Sequence, residues 1–372
     1  MMRIALALLC ATWLALLLAA CSSPAPAPCE SLGGDPRVIC GFKNPEDIRS
    51  LPDSRTLLIS EISALGRPSA GRLVFFDTQT QSITPAFPLA PIPSASNQPV
   101  DAAPVWGSAQ CPGAPGAEFS PLGISVQQRL DGRWQVAAIN HGGRMRVEMF
   151  ELLAQGARYQ LVWRGCVPVP AHMALNSVAL LRNGGFVASQ MFDRTAPALF
   201  GLSTSLLKAE LGFDSGHVFE WLPTQPHLFR TLVDSSGPFP NGVALSADEA
   251  TVFLALSSGH ELRRLDRASG RRSGALRIQR PDNLVWDAQG QLLVASLTGS
   301  SGQSFQCTRQ PDQPCGMAFE ILQVDPHSLR AKLVFANEGS PLGGATVAQQ
   351  LGNWLYLGSF TGDRILRIPY RP

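Results

Sequence analysis

The chain has 372 residues, with 30 Lys and Arg against 28 Asp and Glu, so its formal net charge is only +2. This balance provides no basic surface of the kind that binds nucleic acid, and we expect no nucleic-acid partner. Hydrophobic residues make up 45% of the chain and charged residues 16%, which excludes disorder over most of its length. The 34 glycines and 30 prolines follow no collagen period and predict many short strands joined by tight turns.

The first 20 residues have the pattern of an export signal. Arg3 precedes an apolar run over residues 4–18, and small residues then lead to Cys21. A short apolar run followed by a small-residue cleavage site is typical of a signal peptide and not of a spanning helix. A cysteine at the cleavage position resembles the lipobox of bacterial lipoproteins, which implies lipidation of Cys21. An ordinary secretory signal with a cysteine there by chance is the alternative.

The residues after Cys21 predict where the protein is held. Ser22 at the next position resembles the class of lipoproteins retained in the outer membrane. Several acyl chains on Cys21 would anchor the chain firmly, and the Pro/Ala stretch within residues 21–29 would form an extended tether. We therefore expect a lipid-anchored protein in the envelope of a Gram-negative bacterium, at the outer membrane and facing the periplasm. No later stretch approaches the ~18 uninterrupted apolar residues that a spanning helix needs.

Six further cysteines follow Cys21, and an even number in an oxidising compartment favours disulfides. Proximity along the chain favours the pairs Cys29–Cys40 and Cys307–Cys315, which leaves Cys111 with Cys166. Other connectivities stay open, because proximity is the only guide. The spacings match no zinc pattern, and no cysteine is left over for catalysis.

One short phrase recurs along the chain. It consists of a proline or apolar residue, a variable residue, a small or polar residue and an aliphatic one, followed by a turn and an apolar strand. The copies begin at Pro45, Pro121, Leu175, Pro240, Pro281 and Leu342. The shortest spacing, 41 residues from Pro240 to Pro281, fits the ~40–50 residues of one four-stranded propeller blade. Runs of alternating polarity at residues 72–77 and 261–266 have the pattern of outer blade strands.

These repeats predict an all-β fold, a six-bladed β-propeller. Residues 1–20 would be the signal peptide, residues 21–29 the lipidated cysteine and tether, and residues 30–372 one propeller domain. Two packed β-sandwiches are the alternative, but they would not explain six copies of one opening phrase.

The variable second position of the phrase predicts a metal site. The first strand of each blade lines the channel of a propeller, so equivalent residues point toward one axis. The six positions are occupied by Glu46, Leu122, Asn176, Asn241, Asp282 and Gly343. Four of them carry a side-chain oxygen, and Asn283 can add a fifth. Oxygen ligands with two carboxylates suit a hard divalent cation, and calcium tolerates such radial geometry better than magnesium. Turn formation is the alternative for any single Asn or Asp.

Short motifs in the same order along the chain resemble the paraoxonase and arylesterase group of calcium-dependent propeller hydrolases, to which gluconolactonases and phosphotriesterase-like fluorophosphatases are related. The motifs are NPED at residues 44–47, FSPLGIS at 119–125, INH at 139–141, VEMF at 147–150, FPNG at 239–242 and DN at 282–283. This resemblance implies a central catalytic calcium whose ligands are Glu46, Asn176, Asn241, Asp282 and Asn283, the same set that the repeat register selects.

The chain departs from that family at two places. Leu122 stands where the family has a histidine, so the proposed proton-transfer dyad with the residue matching His141 is incomplete. The family's second, structural calcium has ligands that match Asp47 and Ile124, but Ser177 stands where the family has an aspartate ligand of that ion. Gluconolactonase-like members lack the dyad and are thought to use the aspartate that matches Asp282.

The resemblance implies hydrolysis of a small-molecule lactone or carboxylic ester, in which water attacks a carbonyl group polarised by calcium. Asp282 is the first candidate for the base that takes the proton of the water, and His141 is the second. A His141 that only packs beside the site is the alternative reading of that residue. Apolar residues at near-helical spacing over residues 197–213 match the region of the family's active-site-covering helix, although a simple packing helix has the same pattern.

A second function stays open from sequence alone. The chain could be a non-catalytic calcium-binding propeller lipoprotein that serves as a binding module of the envelope. Leu122 favours this interpretation, because the family's histidine is missing there, whereas retention of every central oxygen ligand favours the enzyme. We expect a monomer in either case.

The lipobox predicts that Cys21→Ala abolishes acylation. The wild-type protein is expected to incorporate labelled palmitate and to sediment with the membrane fraction, whereas the variant carries no label and stays in the soluble fraction. Ser22→Ala is the control, because it leaves the acylated cysteine in place. A Cys21→Ala protein that still sediments with membranes would contradict the prediction.

Overall fold

The structure is a computed structural model that describes residues 29–30, 34–63, 70–88, 106–156, 158–199, 202–310 and 313–371. The predicted signal peptide, Cys21 and most of the tether lie outside these residues. In the described part of the chain, no helix is both long enough and apolar enough to cross a lipid bilayer.

The described chain forms six sheets of four or five strands, which are the blades of a β-propeller. The first strand is β1 (Arg37–Cys40). Blade 1 contains β2 (Pro45–Ser50), β3 (Thr56–Glu61), β4 (Arg72–Asp77) and β5 (Ser82–Phe87). Blade 2 contains β6 (Trp106–Gly107), β7 (Pro121–Gln128), β8 (Trp134–Asn140), β9 (Arg146–Gln155) and β10 (Arg158–Pro168).

Blade 3 contains β11 (Met173–Leu180), β12 (Phe186–Asp193), β15 (His217–Trp221) and β16 (Phe229–Thr231). Between β12 and β15 lie β13 (Ala198–Leu199), β14 (Leu202–Ser203) and helix α1 (Thr204–Glu210). Blade 4 contains β17 (Pro240–Leu245), β18 (Thr251–Leu256), β19 (Glu261–Asp266) and β20 (Arg272–Arg277).

Blade 5 contains β21 (Pro281–Trp286), β22 (Leu292–Leu297), β23 (Phe319–Val324) and β24 (Ala331–Asn337), with helix α2 (Ser301–Arg309) between β22 and β23. Blade 6 begins with β25 (Ala345–Leu351), β26 (Trp354–Ser359) and β27 (Arg364–Pro369). This arrangement confirms the predicted six-bladed propeller.

The ring is closed by the two ends of the domain. Strand β1 pairs antiparallel with β27, from Arg37 opposite Arg367 to Cys40 opposite Arg364. The outer strand of blade 6 therefore comes from the beginning of the domain, and its three inner strands come from the end. Because these strands are hydrogen-bonded to one another, the first and last blades cannot separate without breaking a β-ladder.

Apolar packing between neighbouring blades forms the core. Most of the buried hydrophobic residues belong to six clusters, and each cluster joins adjacent blades. Strands β3 and β22 are buried along their whole length, because both faces of a blade are covered by its neighbours. Large side chains such as Phe76, Phe150 and Phe319 are almost completely buried. Each contributes about 1.5–3 kcal/mol to the free energy of unfolding.

All three predicted disulfides, Cys29–Cys40, Cys111–Cys166 and Cys307–Cys315, are present. They lie toward the end of the ring at which the first strand of each blade begins, which we call the upper end. The strand directions show this, because β1 and β10 finish at the upper end and the loop between β22 and β23 lies there. The disulfides therefore restrain upper-end segments of three blades.

The two helices of the described segments also lie in upper-end loops. The predicted helix within residues 197–213 is confirmed as α1, although it is only seven residues long and follows the short β13–β14 hairpin. The side chain of Ser203 caps its first turn by accepting a hydrogen bond from the backbone N–H of Ser205. Helix α2 was not predicted, and it begins with a capping box formed by Ser300 and Gln303.

Candidate metal centre

The first strand of each blade contains a β-bulge close to its start. In blade 1 the ladder between β2 and β3 skips Glu46, and in blade 3 the ladder between β11 and β12 skips Asn176. The same irregularity skips Asn241 in blade 4 and both Asp282 and Asn283 in blade 5. A bulge redirects the side chain of the unpaired residue. Every predicted calcium ligand therefore lies at a bulge on an innermost strand.

Two glycines allow the bulged segments of neighbouring blades to approach one another. A Cβ atom on Gly242 would lie 2.3 Å from the carbonyl oxygen of Asp282, and one on Gly123 would lie 2.4 Å from that of Asn176. Because real Cβ atoms do not approach backbone so closely, a side chain at either position would push the adjacent strand away. The absence of a side chain at Gly242 thus allows the strands of blades 4 and 5 that carry Asn241 and Asp282 to lie close together.

Five buried oxygen atoms at these bulges have no hydrogen-bond partner. Among the described residues, seven buried side-chain oxygens lack a partner, and five of the seven belong to the predicted ligands. They are Glu46 Oε2, Asn176 Oδ1, Asn241 Oδ1, Asp282 Oδ1 and Asn283 Oδ1. An unpaired buried polar atom costs about 1–3 kcal/mol. Five of them in one residue set form a group of acceptors that would suit a positively charged partner.

Protein contacts determine which way the amide groups face. Asn283 Nδ2 donates to Glu46 Oε1 at 2.9 Å, and Asn176 Nδ2 points to Met191 Sδ at 3.4 Å. The side chain of Asn241 hydrogen-bonds to the carboxylate of Asp282. Each amide nitrogen is therefore engaged by the protein, and each amide oxygen is left without a partner.

Burial raises the pKa of both carboxyl groups of the centre, so that their ionised forms are disfavoured without a cation. Desolvation, together with the charge of Asp47, raises the pKa of Asp282 to about 7, against the hydrogen bonds from Asn241 and Asn283 and the charge of Arg280. Desolvation likewise raises the pKa of Glu46 well above its usual range, with the charges of Asp47 and Asp282 adding to the effect. A bound cation would favour the ionised forms of both groups.

The donor set fits calcium. It contains two carboxylates and three amide oxygens, with no sulfur or imidazole, and such oxygen ligands are typical of a hard cation. Nowhere in the described segments do three His, Cys, Asp or Glu side chains come together as a metal site. The amides of Asn176, Asn241 and Asn283 are therefore essential to this candidate centre.

The equivalent position in blade 6 differs from the one that the sequence predicted. The ladder between β25 and β26 skips Thr346, and the hydroxyl of Thr346 donates to the backbone oxygen of Glu46 at 2.7 Å. Gly343 precedes β25, and a Cβ atom there would lie 1.7 Å from the carbonyl oxygen of Cys315. Assignment of Gly343 to the repeat was thus wrong by three residues, because the loop before β25 also begins with a small, apolar segment.

His141 lies next to the centre and contacts its backbone. Its Nε2 atom is 2.7 Å from the carbonyl oxygen of Leu175, the residue before Asn176. Desolvation lowers the pKa of His141 to about 4; the Leu175 contact acts against this shift, and the charge of Arg194 adds to it. The ring is therefore neutral at pH 7 and donates through Nε2. Leu122, at the place of the family's histidine, is buried and apolar.

The residues predicted for a second calcium have protein partners already. Asp47 accepts hydrogen bonds from the backbone N–H of Ile124 at 2.8 Å and from Arg49 at 2.5 Å. Ser177 Oγ accepts the backbone N–H of Val243 at 3.2 Å. Arg49 was not predicted as a partner of Asp47, although its place two residues after Asp47 on a strand puts both side chains on the same face.

Solved structures similar to this chain are propellers. A gluconolactonase from Xanthomonas campestris is 17% identical with a TM-score of 0.50, and the match covers 94% of this chain and 98% of that one. A protein assigned as a gluconolactonase is 13% identical with a TM-score of 0.51, covering 94% and 97% of the two chains. A luciferin-regenerating enzyme is 12% identical with a TM-score of 0.49, covering 88% and 92%. No protein-family model and no curated protein matches the sequence. At these identities the likeness shows the fold.

The close approach at Gly242 predicts the effect of a single methyl group. Gly242→Ala should displace Asp282 and Asn283 and weaken calcium binding by about tenfold or more, which corresponds to about 1.4 kcal/mol or more. Isothermal titration calorimetry measures this change. Gly116→Ala is the matched control, since nothing lies within 4 Å of a Cβ atom there. Equal calcium affinity in the two variants would contradict the prediction.

The raised pKa of Asp282 predicts how the calcium-free protein responds to pH. The folded chain holds a proton on Asp282 up to about pH 7, whereas the ordinary value is 3.8. This contribution to stability is present below pH ~4 and is lost as the pH rises through about 7. In chelator, Asp282→Asn should therefore lose less stability than wild type between pH 5 and 8, by about 5 °C in Tm. Differential scanning calorimetry tests this, and identical pH profiles would contradict it.

Proposed function

We propose that the protein is a calcium-dependent hydrolase of lactones or carboxylic esters. The observation that carries this proposal is the set of five unpartnered, buried oxygens from the innermost strands of four blades. Such a set costs stability unless it binds a cation, and the orientation of the amides keeps it available for one.

Glu46, Asn176, Asn241, Asp282 and Asn283 would hold the ion. When bound, calcium supplies a Lewis acid that polarises a substrate carbonyl and stabilises negative charge on its oxygen. The two carboxylates balance the charge of the ion, and the amides add neutral oxygens.

Asp282 is our candidate for the base that takes the proton of the attacking water. A carboxylate beside the ion can accept a proton from water held there, and one oxygen of Asp282 has no hydrogen-bond partner. Burial raises the pKa of Asp282 to about 7 in the calcium-free chain, and a bound cation would lower it. The hydrogen bonds from Asn241 and the backbone of Asn283 fix the direction of this carboxylate.

His141 is less suited to that role. Its pKa of about 4 makes it a weak proton acceptor at neutral pH, and its Nε2 atom is engaged by the carbonyl oxygen of Leu175. We assign His141 as a positioning residue, which holds the backbone directly before Asn176 and so places one of the amide oxygens.

Apolar side chains at the upper end favour substrates with an apolar part. Leu199, Leu211 and Phe213 around α1 are 50%, 74% and 63% exposed. Glu210 of α1 accepts hydrogen bonds from Ser258 and Arg280, which lie in upper-end loops of blades 4 and 5. These two hydrogen bonds keep the apolar segment near the strands that carry Asn241 and Asp282.

The gluconolactonase of similar fold makes lactones the first substrate class to test. We further propose that the protein acts as a monomer on the outer membrane, held at its periplasmic face by a lipid on Cys21. Its substrate would then be a lactone or ester that reaches the envelope.

The experiment is hydrolysis of a panel of lactones and aryl esters by the purified protein, with calcium and with chelator. Calcium-dependent turnover is expected, and Asp282→Asn and Glu46→Gln should each lower kcat/KM by about 100-fold or more. Glu338→Gln is the control, because Glu338 is an exposed carboxylate in an upper-end loop. Turnover that survives both chelation and Asp282→Asn would overturn the proposed mechanism.

One observation favours the second candidate function, a calcium-binding module without catalysis. Leu122 stands where the paraoxonase group has a histidine, and His141 hydrogen-bonds to the carbonyl oxygen of Leu175. Absence of hydrolysis by folded, calcium-loaded protein across the whole panel would favour this function over the enzyme.

A further inference from the structure

Asp47 follows the first proposed ligand and is completely buried, and the protein engages both of its oxygens. Its Oδ1 atom accepts hydrogen bonds from Arg49 Nη1 at 2.5 Å and from the backbone N–H of Ile48 at 2.9 Å. Its Oδ2 atom accepts the backbone N–H of Ile124, in blade 2, at 2.8 Å. The Asp47 carboxylate is therefore fully hydrogen-bonded and paired with a positive charge.

The guanidinium group of Arg49 is well fixed at this place. Its Nη1 atom also donates to the backbone oxygen of Ile48 at 2.9 Å, and the side chain is only 14% exposed. A partly buried ion pair with additional hydrogen bonds is screened less by solvent than an exposed pair. Arg49 thus provides a permanent cation next to Asp47.

The surroundings of Asp47 do not fit a calcium ion. Ile124 donates its backbone N–H toward Asp47, and Ser177 contributes no charge. The hydroxyl of Ser177 accepts the N–H of Val243 in blade 4, just as the carboxylate of Asp47 accepts the N–H of Ile124 in blade 2. Asp47 and Ser177 therefore occupy equivalent places, and both connect one blade to the next.

We infer that Arg49 takes the place of a second, structural calcium in this protein. The guanidinium neutralises Asp47, so that Asp47 can connect blades 1 and 2 without an ion. Of three neighbouring carboxylates, only Glu46 and Asp282 are then left for a cation, and their charge of two matches one divalent ion. The count of one ion rests on the proposed calcium centre, whereas the role of Arg49 at Asp47 does not.

Variants that remove both carboxylates of the candidate metal centre allow the Asp47–Arg49 site to be tested separately. In a Glu46→Gln/Asp282→Asn background, calcium bound per chain is measured by native mass spectrometry, and Tm is measured in calcium and in chelator. Arg49→Met is added to remove the charge, Arg49→Lys to retain it, and Arg49→Met with Ser177→Asp to build the carboxylate pair that an ion requires.

With Arg49 in place, the Glu46→Gln/Asp282→Asn chain should bind no calcium, and its Tm should be equal in calcium and chelator. Arg49→Met should lower Tm in chelator by about 5 °C, and Arg49→Lys should recover part of this loss. Arg49→Met/Ser177→Asp should bind one ion and gain Tm only in calcium, a response that general damage to packing would not produce.

A Glu46→Gln/Asp282→Asn chain that binds calcium while Arg49 is present would overturn the inference, and so would an Arg49→Met variant as stable in chelator as its parent. With the central centre intact, one ion per chain is expected, and two would again overturn it. No bound ion in that intact chain would overturn the proposed function, and the Tm measurements would still decide the role of Arg49.

Discussion

Apolar packing between adjacent blades is the interaction on which the rest of the structure depends. Each blade buries both faces, so no blade has a complete core until both of its neighbours are present, and the last interface forms only when β1 joins β27. Closure of the ring brings the starts of the innermost strands around one axis. The bulges at those starts then present Glu46, Asn176, Asn241 and Asp282 together, although they are far apart along the chain.

The candidate centre contains five buried oxygens without hydrogen-bond partners, and the surrounding residues keep these oxygens in place. The amide nitrogens of Asn176, Asn241 and Asn283 are held by the protein, so their oxygens cannot rotate to find other partners. Burial opposes ionisation of Glu46 and Asp282, and a cation at this place would favour their ionised forms. Asp47 differs from them because Arg49 balances its charge. The unpartnered oxygens of the candidate centre thus lower the free energy of unfolding, whereas the blades around them are well packed.

Much of this organisation could be predicted from the sequence, because a repeated phrase marks equivalent positions whatever the loops between them do. The fold follows from that pattern, and the disulfide pairs follow from proximity along the chain. The residue set of the candidate centre stays a prediction from the same repeat register. Gly343 was misassigned because a short apolar phrase does not show where the ladder with β26 begins, and hydrogen bonding places Thr346 there instead. The partner of Asp47 was missed because an arginine on a strand usually points to solvent, whereas Arg49 lies on the same face of β2 as the buried carboxylate of Asp47 and donates to it.

The closure of the ring has a mechanical consequence. If the chain is tethered to a membrane at Cys21, any pull on the domain enters through Cys29. The Cys29–Cys40 bond carries that load directly to the last residue of β1 and bypasses the residues between the two cysteines. The load then reaches β1 at Cys40, opposite Arg364, and not at Arg37 at the other end of the ladder. A pull on the tether would therefore reach the strand that closes the ring through a covalent cross-link, and not through the segment between the two cysteines.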